Sequence, residues 1–253
     1  MEEKIYYLTG GQISGDAVLV FIHGAGGSSE QWAYQIGNLR PQTGAIALDL
    51  PGHGRSAGDA RSDIGAYAEV TINFLRRLTS APLVVVGHSM GGAIALAMAL
   101  TYPREVAGLV LVSTGAKLRV HPRFLHLLAQ GDKPDIIEYC FSRHCSSEVV
   151  REQADRWEGV PIRTFYADFL ACDRFDVREE LPRINCPVLI LCGEEDLMTP
   201  PKYSQFLAEH IRHSTLKLIP QAGHMLMLEK PAELTKEIQT FFDRIMERRE
   251  NRK

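Results

Sequence analysis

The stretch Leu83-Val84-Val85-Val86-Gly87-His88-Ser89-Met90-Gly91-Gly92-Ala93 constrains the fold more than any other part of the chain. An apolar, β-branched run ends in glycine, one serine follows, and two glycines lead into alanines and leucines. The first half reads as a strand buried on both faces, as in a parallel sheet, and the second as a tightly packed helix. Almost no turn separates them, so Ser89 must sit on a sharp bend. Glycine at 87 and 91 removes side chains that would clash where strand and helix approach. This is the G-x-S-x-G pattern of a nucleophile elbow, whose strained geometry lifts the serine oxygen clear of the sheet. A structural serine in a glycine-rich turn is the competing reading, and partner residues elsewhere in the chain decide between them.

Around the elbow, strand and helix patterns alternate. Residues 5–8 read as an edge strand followed by a Gly10-Gly11 turn, and residues 17–22, 45–48, 106–112, 187–192 and 214–219 as further strands. Ser29 is the expected N-cap of a short helix carrying Trp32 and Leu39. Asp63 is the expected cap of an amphipathic helix reaching Leu78, with Ile64, Tyr67, Ala68, Ile72 and Leu75 on its apolar face. The elbow helix should end near Tyr102-Pro103, Pro200 and Pro201 should open a helix to about Ile211, and Pro231 a final one. This alternation predicts an α/β fold, a mostly parallel twisted sheet with helices on both faces. Between 114 and 181 strand-like runs disappear, and gapped patterns such as Phe124, Leu127, Leu128 and Phe165, Phe169, Leu170 take over. Residues 1–113 and 182–253 are therefore expected to form the core, and 114–181 a helical cap near the mouth of the site.

Charge and cysteine usage exclude several function classes. A net charge of −3 over 253 residues favours neither nucleic acid nor an anionic membrane as partner. The first residues are charged, and the apolar runs are strand-sized, which predicts a cytoplasmic protein. Five cysteines, an odd number, do not suggest a disulfide framework. Cys140, His144 and Cys145 crowd together, but no second ligand pair at zinc spacing accompanies them, so no metal is expected. The glycine-rich stretch 23–29 fits neither dinucleotide nor Walker-type spacing, and no cofactor is expected. Oligomeric state is not written in the sequence.

A serine hydroxyl needs a base to become a nucleophile at neutral pH, and the base needs a carboxylate to fix its tautomer. Ser89, Gly193-Glu194-Glu195-Asp196 and Gly223-His224 each follow an expected strand, in the order serine, acid, histidine. His23, His53 and His88 are other possible bases, and Glu194 and Glu195 other possible acids.

Together with His23-Gly24 and Asp49-Leu50-Pro51-Gly52-His53-Gly54-Arg55-Ser56, these motifs resemble the α/β-hydrolase superfamily over nearly the whole length, in its smaller capped, carboxylesterase-like form. The resemblance implies Ser89 as nucleophile, Asp196 rather than either glutamate as orienting acid, and His224 as base. It implies an oxyanion hole from the backbone N–H groups of Met90 and Ala25, with Gly26 as the alternative to Ala25 if the loop is shifted by one residue. His23 would brace that loop, and His88 would point away from Ser89. His121, His126 and His144 are expected in solvent, and Arg119 and Arg123 in surface salt bridges or against a substrate carboxylate. The reaction implied is hydrolysis of a small carboxylic ester through an acyl-enzyme. Serine at the elbow argues against the haloalkane dehalogenase and epoxide hydrolase branches, which use aspartate. A carbon–carbon bond hydrolase of the ring-cleavage type and the menaquinone-pathway lyase stay open, although His88 and Met225 depart from the first and Ala93 from the second. So does a non-catalytic small-molecule-binding protein that keeps the triad.

Overall fold

A computed structural model describes residues 4–251. Seven strands, β1 (Tyr7–Gly10), β2 (Val18–Ile22), β3 (Ala45–Leu48), β4 (Leu83–His88), β5 (Val106–Val112), β6 (Val188–Gly193) and β7 (Ser214–Ile219), form one sheet in the order β1-β3-β2-β4-β5-β6-β7. Only β1 is antiparallel to its neighbour; every other pairing is parallel. β2, β3, β4 and β6 are buried at every residue, as the apolar runs require, whereas edge strand β7 alternates.

Strand alternation splits the core in two. Val20, Val85 and Leu109 face α2 (Ile64–Leu78), α3 (Met90–Thr101) and α8 (Pro201–His210). Phe21, Val86 and Val110 face Trp32, α9 (Leu226–Glu229) and α10 (Pro231–Glu250), and α1 (Ala33–Asn38) packs on α10. Asp63 caps α2 by accepting the Ala66 N–H at 2.9 Å, a contact typically worth ~1 kcal/mol. α3 is buried on nearly every side between the sheet and α2, which only its glycines and alanines permit.

Between β5 and β6 the chain forms α4 (Pro122–Gln130), α5 (Ile137–Cys140), α6 (Ser147–Glu158) and α7 (Ile162–Arg174). They share a cluster of their own, Leu128, Ile136, Phe165 and Phe169, while Ala171 and Cys172 of α7 join the α2–α3 side of the main core.

Two local expectations need correction. β1 begins at Tyr7 rather than Ile5, and Gly10 ends the strand, so that only Gly11 (φ 59°) turns the chain. Ser29 caps nothing: it starts a buried 3-10 turn, Ser29–Trp32, ahead of α1. The Asp49 carboxylate decides this, taking the Ser29 N–H at 2.6 Å and the Arg55 N–H at 2.8 Å and tying the two loops together.

Candidate active site

The elbow is as sharp as its sequence demands. Ser89 has φ 51° and ψ −115°, a region costing a non-glycine residue of order 1–3 kcal/mol. Its peptide is held from both sides, with Ser89 N–H on Val112 O at 2.9 Å and Thr114 Oγ1 donating to Ser89 O at 2.7 Å. A Cβ on Gly87 would collide with the Gly91 carbonyl, and one on Gly91 with the Ile22 carbonyl, so close approach enforces both glycines.

The loops after β6 and β7 bring Asp196 and His224 together. Asp196 is 1% exposed. Its Oδ1 accepts N–H bonds from Met198 (2.9 Å) and Thr199 (2.8 Å), and its Oδ2 the Thr199 hydroxyl (2.9 Å). Both oxygens face His224 Nδ1, at 3.1 and 3.0 Å. A carboxylate there keeps the proton of a neutral imidazole on Nδ1 and leaves Nε2 as acceptor. His224 N–H bonds Cys140 O at 2.9 Å, and His88 Nε2 donates to His224 O at 3.0 Å. The His88 and His224 ring centroids are 4.7 Å apart, so the histidine loop rests against the elbow. Burial, and then the neighbouring His224, hold His88 well below the ordinary histidine pKa. The Ser89 hydroxyl makes no hydrogen bond among the described residues, His224 included; it opens into a cleft of about 390 Å³ that Ala25, Val120, Phe124, Phe169 and Leu197 also line. A larger cavity, about 760 Å³, lies on the far side of residues 26–28 and does not reach Ser89.

The loop after β2 is fixed from several directions. His23 Nδ1 donates to Gly24 O at 2.8 Å, and its Nε2 accepts the Leu50 N–H at 3.0 Å. Burial, then the charge of His53, lower its pKa to about 3, so the ring is neutral. Gly24 lies against the elbow: a Cβ there would sit 2.8 Å from His88 Nδ1 and 3.3 Å from Ser89 Cβ. The Gly26 N–H is bonded to Asp168 Oδ2 at 2.8 Å. The Gly26 N–H is thus already committed, whereas the N–H groups of Ala25 and Met90 have no acceptor among the described residues.

Asp168, Thr199 and Glu229 were not singled out from the sequence. Asp168, fully buried on α7, also accepts His53 Nε2–H at 2.8 Å and Tyr67 O–H at 2.6 Å. His53 Nδ1 donates to Pro51 O at 3.0 Å, so both its ring nitrogens are donors. Burial opposes that charge, but Asp168 outweighs it and the His53 pKa is raised. Glu229 accepts the Gly223 N–H (3.0 Å) and the Ser142 N–H (2.9 Å), anchoring the histidine loop. The signal for Asp168 was present: Phe165, Asp168, Phe169 and Cys172 form one helical stripe, and a carboxylate in an apolar stripe requires a partner.

The other candidates fall away from the centre. Glu194 is exposed and Glu195 pairs with His144 at 3.2 Å. His126 is exposed, and His121 Nδ1 accepts the Arg123 N–H at the start of α4. Arg119 and Arg123 stand on the rim of the Ser89 cleft and, among the described residues, have no carboxylate partner. Burial pushes the Cys140 thiol above its ordinary range, and among the described residues no three His, Cys, Asp or Glu side chains are grouped to hold a metal.

This arrangement, a serine on a strained strand-to-helix turn and a buried His–Asp pair in the loops after β6 and β7, has a counterpart in sequence comparison. The profile of the alpha/beta hydrolase family aligns with residues 19–237. The chain belongs to that family. This hydrolase is 30% identical over 251 residues to an uncharacterised hydrolase of Bacillus subtilis, covering 91% of each chain. It is 28% identical over 241 residues to the dihydrolipoyllysine-residue acetyltransferase component of an acetoin cleaving system of Pseudomonas putida, spanning 90% of this chain but 64% of that one. Among solved structures it resembles a thermophilic esterase, with a TM-score of 0.83 and 32% identity, over 96% of this chain and 94% of that one.

Proposed function

We propose that this hydrolase cleaves small carboxylic esters by a Ser89–His224–Asp196 acyl-enzyme mechanism, with residues 114–181 acting as a lid over the cleft. The observation that carries the reading is the His224–Asp196 pair, joined through Nδ1 alone, in a loop that rests on His88 of the elbow next to the uncommitted Ser89 hydroxyl. His224 Nε2 takes the Ser89 proton as Oγ attacks the ester carbonyl. The N–H groups of Ala25 and Met90 receive the negative charge of the tetrahedral intermediate. His224 then returns the proton to the departing alcohol, activates a water, and the acid leaves. Asp196 stabilises the imidazolium formed in each step. The esterase named among the similar structures supports this reaction class. The partner on this reading is a small acyl compound, and the compartment the cytoplasm, in keeping with five cysteines that form no disulfide.

The test is a fluorophosphonate probe and a panel of p-nitrophenyl esters, applied to the wild type and to Ser89→Ala. Labelling should vanish in the variant, and turnover should fall by about 10⁶-fold, the cost of removing a triad serine. Labelling and turnover that do not depend on Ser89 would overturn the proposal. Turnover of a vinylogous diketone but of no ester would move the assignment to carbon–carbon cleavage.

A further inference from the structure

We infer that α7 sets the conformation of the oxyanion loop, with Asp168 as the positioning residue. The inference rests on the reading above in one respect, that the Ala25 N–H is an oxyanion donor. A peptide unit is planar and trans, so fixing its carbonyl fixes the direction of its N–H. The unit carrying the Ala25 N–H is held through Gly24 O, which accepts from His23 Nδ1 at 2.8 Å and from Gly27 N–H at 3.0 Å. Among the described residues the next unit is held only through Gly26 N–H, and its acceptor is Asp168, 142 residues further along the chain. Gly26 itself has φ 63°, and the Phe165 ring occupies the space its Cβ would need.

One face of α7 thus contributes both a ring and a carboxylate to a single glycine. Two further contacts lock the carboxylate, His53 on Oδ2 and Tyr67 on Oδ1. An apolar side chain at 168 would pack beside Phe165 and Phe169 with no charge to desolvate. Only an acceptor can satisfy the Gly26 N–H there, and a buried one must be paired to be tolerated. Displacing α7 would withdraw acceptor and ring together, so the loop would lose its conformation whenever this helix left its seat.

The test compares Asp168→Ala and the triple variant His53→Leu/Tyr67→Phe/Asp168→Leu with the wild type. The triple variant replaces the polar cluster by apolar groups, a change that buried ion pairs often tolerate without loss of stability, and so separates folding from positioning. Four quantities are measured: kcat and KM for p-nitrophenyl butyrate, affinity for a trifluoromethyl ketone that mimics the tetrahedral intermediate, and amide hydrogen exchange of segment 23–29. In either variant kcat should fall by up to about 10²-fold with little change in KM, as when an oxyanion donor is lost, and ketone affinity should fall in parallel. Exchange in segment 23–29 should quicken by about tenfold, as expected for the loss of one hydrogen bond. Unchanged exchange in a folded variant would overturn the role of Asp168, whether or not esters are turned over. Faster exchange with unchanged kcat would keep the clamp and overturn its link to the oxyanion hole. If Ser89→Ala shows that no ester is hydrolysed at Ser89, the proposed function fails, and the exchange measurement alone decides the clamp.

Discussion

Among the described residues two buried histidine–aspartate pairs occur, and comparing them shows which histidine keeps a free nitrogen, as the proposed base requires. His224 meets Asp196 through Nδ1 alone, and among the described residues nothing occupies its Nε2. His53 meets Asp168 through Nε2, but its Nδ1 is also committed, to the Pro51 carbonyl. A ring that donates from both nitrogens has no lone pair to offer and acts as a fixed cation. The carboxylates differ in the same sense. Around His224, Asp196 is held by its own loop, through Thr199 and Met198, whereas Asp168 is held by groups from distant parts of the chain. The number of committed nitrogens, more than the presence of an aspartate, distinguishes the two pairs.

Turnover should expose this difference most strongly. His224→Gln is expected to lower kcat by about 10⁶-fold, and Asp196→Asn by about 10⁴-fold through the wrong tautomer. His53→Gln should cost far less, because glutamine keeps an N–H for Asp168 and the base is untouched. Steady-state kinetics with p-nitrophenyl acetate decides it: comparable losses at 53 and 224 would mean that the two pairs do not divide the work as described.

Stability against pH tests the same contrast more gently. The His53 pKa is raised in the folded protein, so native and unfolded states differ in bound protons above pH 6.5, and the native state binds more. Its contribution is complete below pH 6.5 and is lost as pH rises through the folded value. His23, lowered to about 3, works in the opposite direction: its contribution is complete above pH 6.5 and is lost as pH falls towards 3. Urea unfolding from pH 5 to 9 should show the gap between the wild type and His53→Gln narrowing as pH rises above 6.5. A gap that instead widens from pH 5 to 6.5 and stays constant above it would mean His53 is neutral in the fold.

The two pairs were also unequally legible in the sequence. Ser89, Asp196 and His224 each stand just beyond an apolar run, and sheet order turns three separated motifs into neighbours. That information is local to each motif. Asp168 lies in a segment without strands, and its partners come from a loop at 26, a loop at 53 and a helix at 67; no spacing rule links those positions. Only the physical oddity of a carboxylate among Phe165, Phe169 and Cys172 pointed to it. Ser29 departs from its sequence pattern for a similar reason. A serine ahead of an apolar pattern suggests a cap, but Asp49 claims its N–H from another strand end. Gly26, the alternative to Ala25 in the sequence, has its N–H taken by Asp168, a residue no local pattern links to it.

The smallest expected effect concerns Thr199, whose hydroxyl donates to Asp196 Oδ2 at 2.9 Å and lies 3.3 Å from His224 Nδ1. Thr199→Val removes one of the three donors that hold Asp196 within its own loop and leaves the two backbone N–H groups on Oδ1. A hydrogen bond to a charged group contributes about 1.5–3 kcal/mol, so the melting temperature should fall. Turnover responds only to the part of an interaction that changes on reaching the transition state. A carboxylate with one donor fewer keeps its charge for the imidazolium on His224, so kcat should stay within about threefold, a change smaller than 1 kcal/mol. Melting and kinetics on the same preparation separate these effects. A loss of kcat approaching that of Asp196→Asn would show that Thr199 sets the geometry of the pair, and that Asp196, like Asp168, needs a side chain beyond its histidine to hold its place.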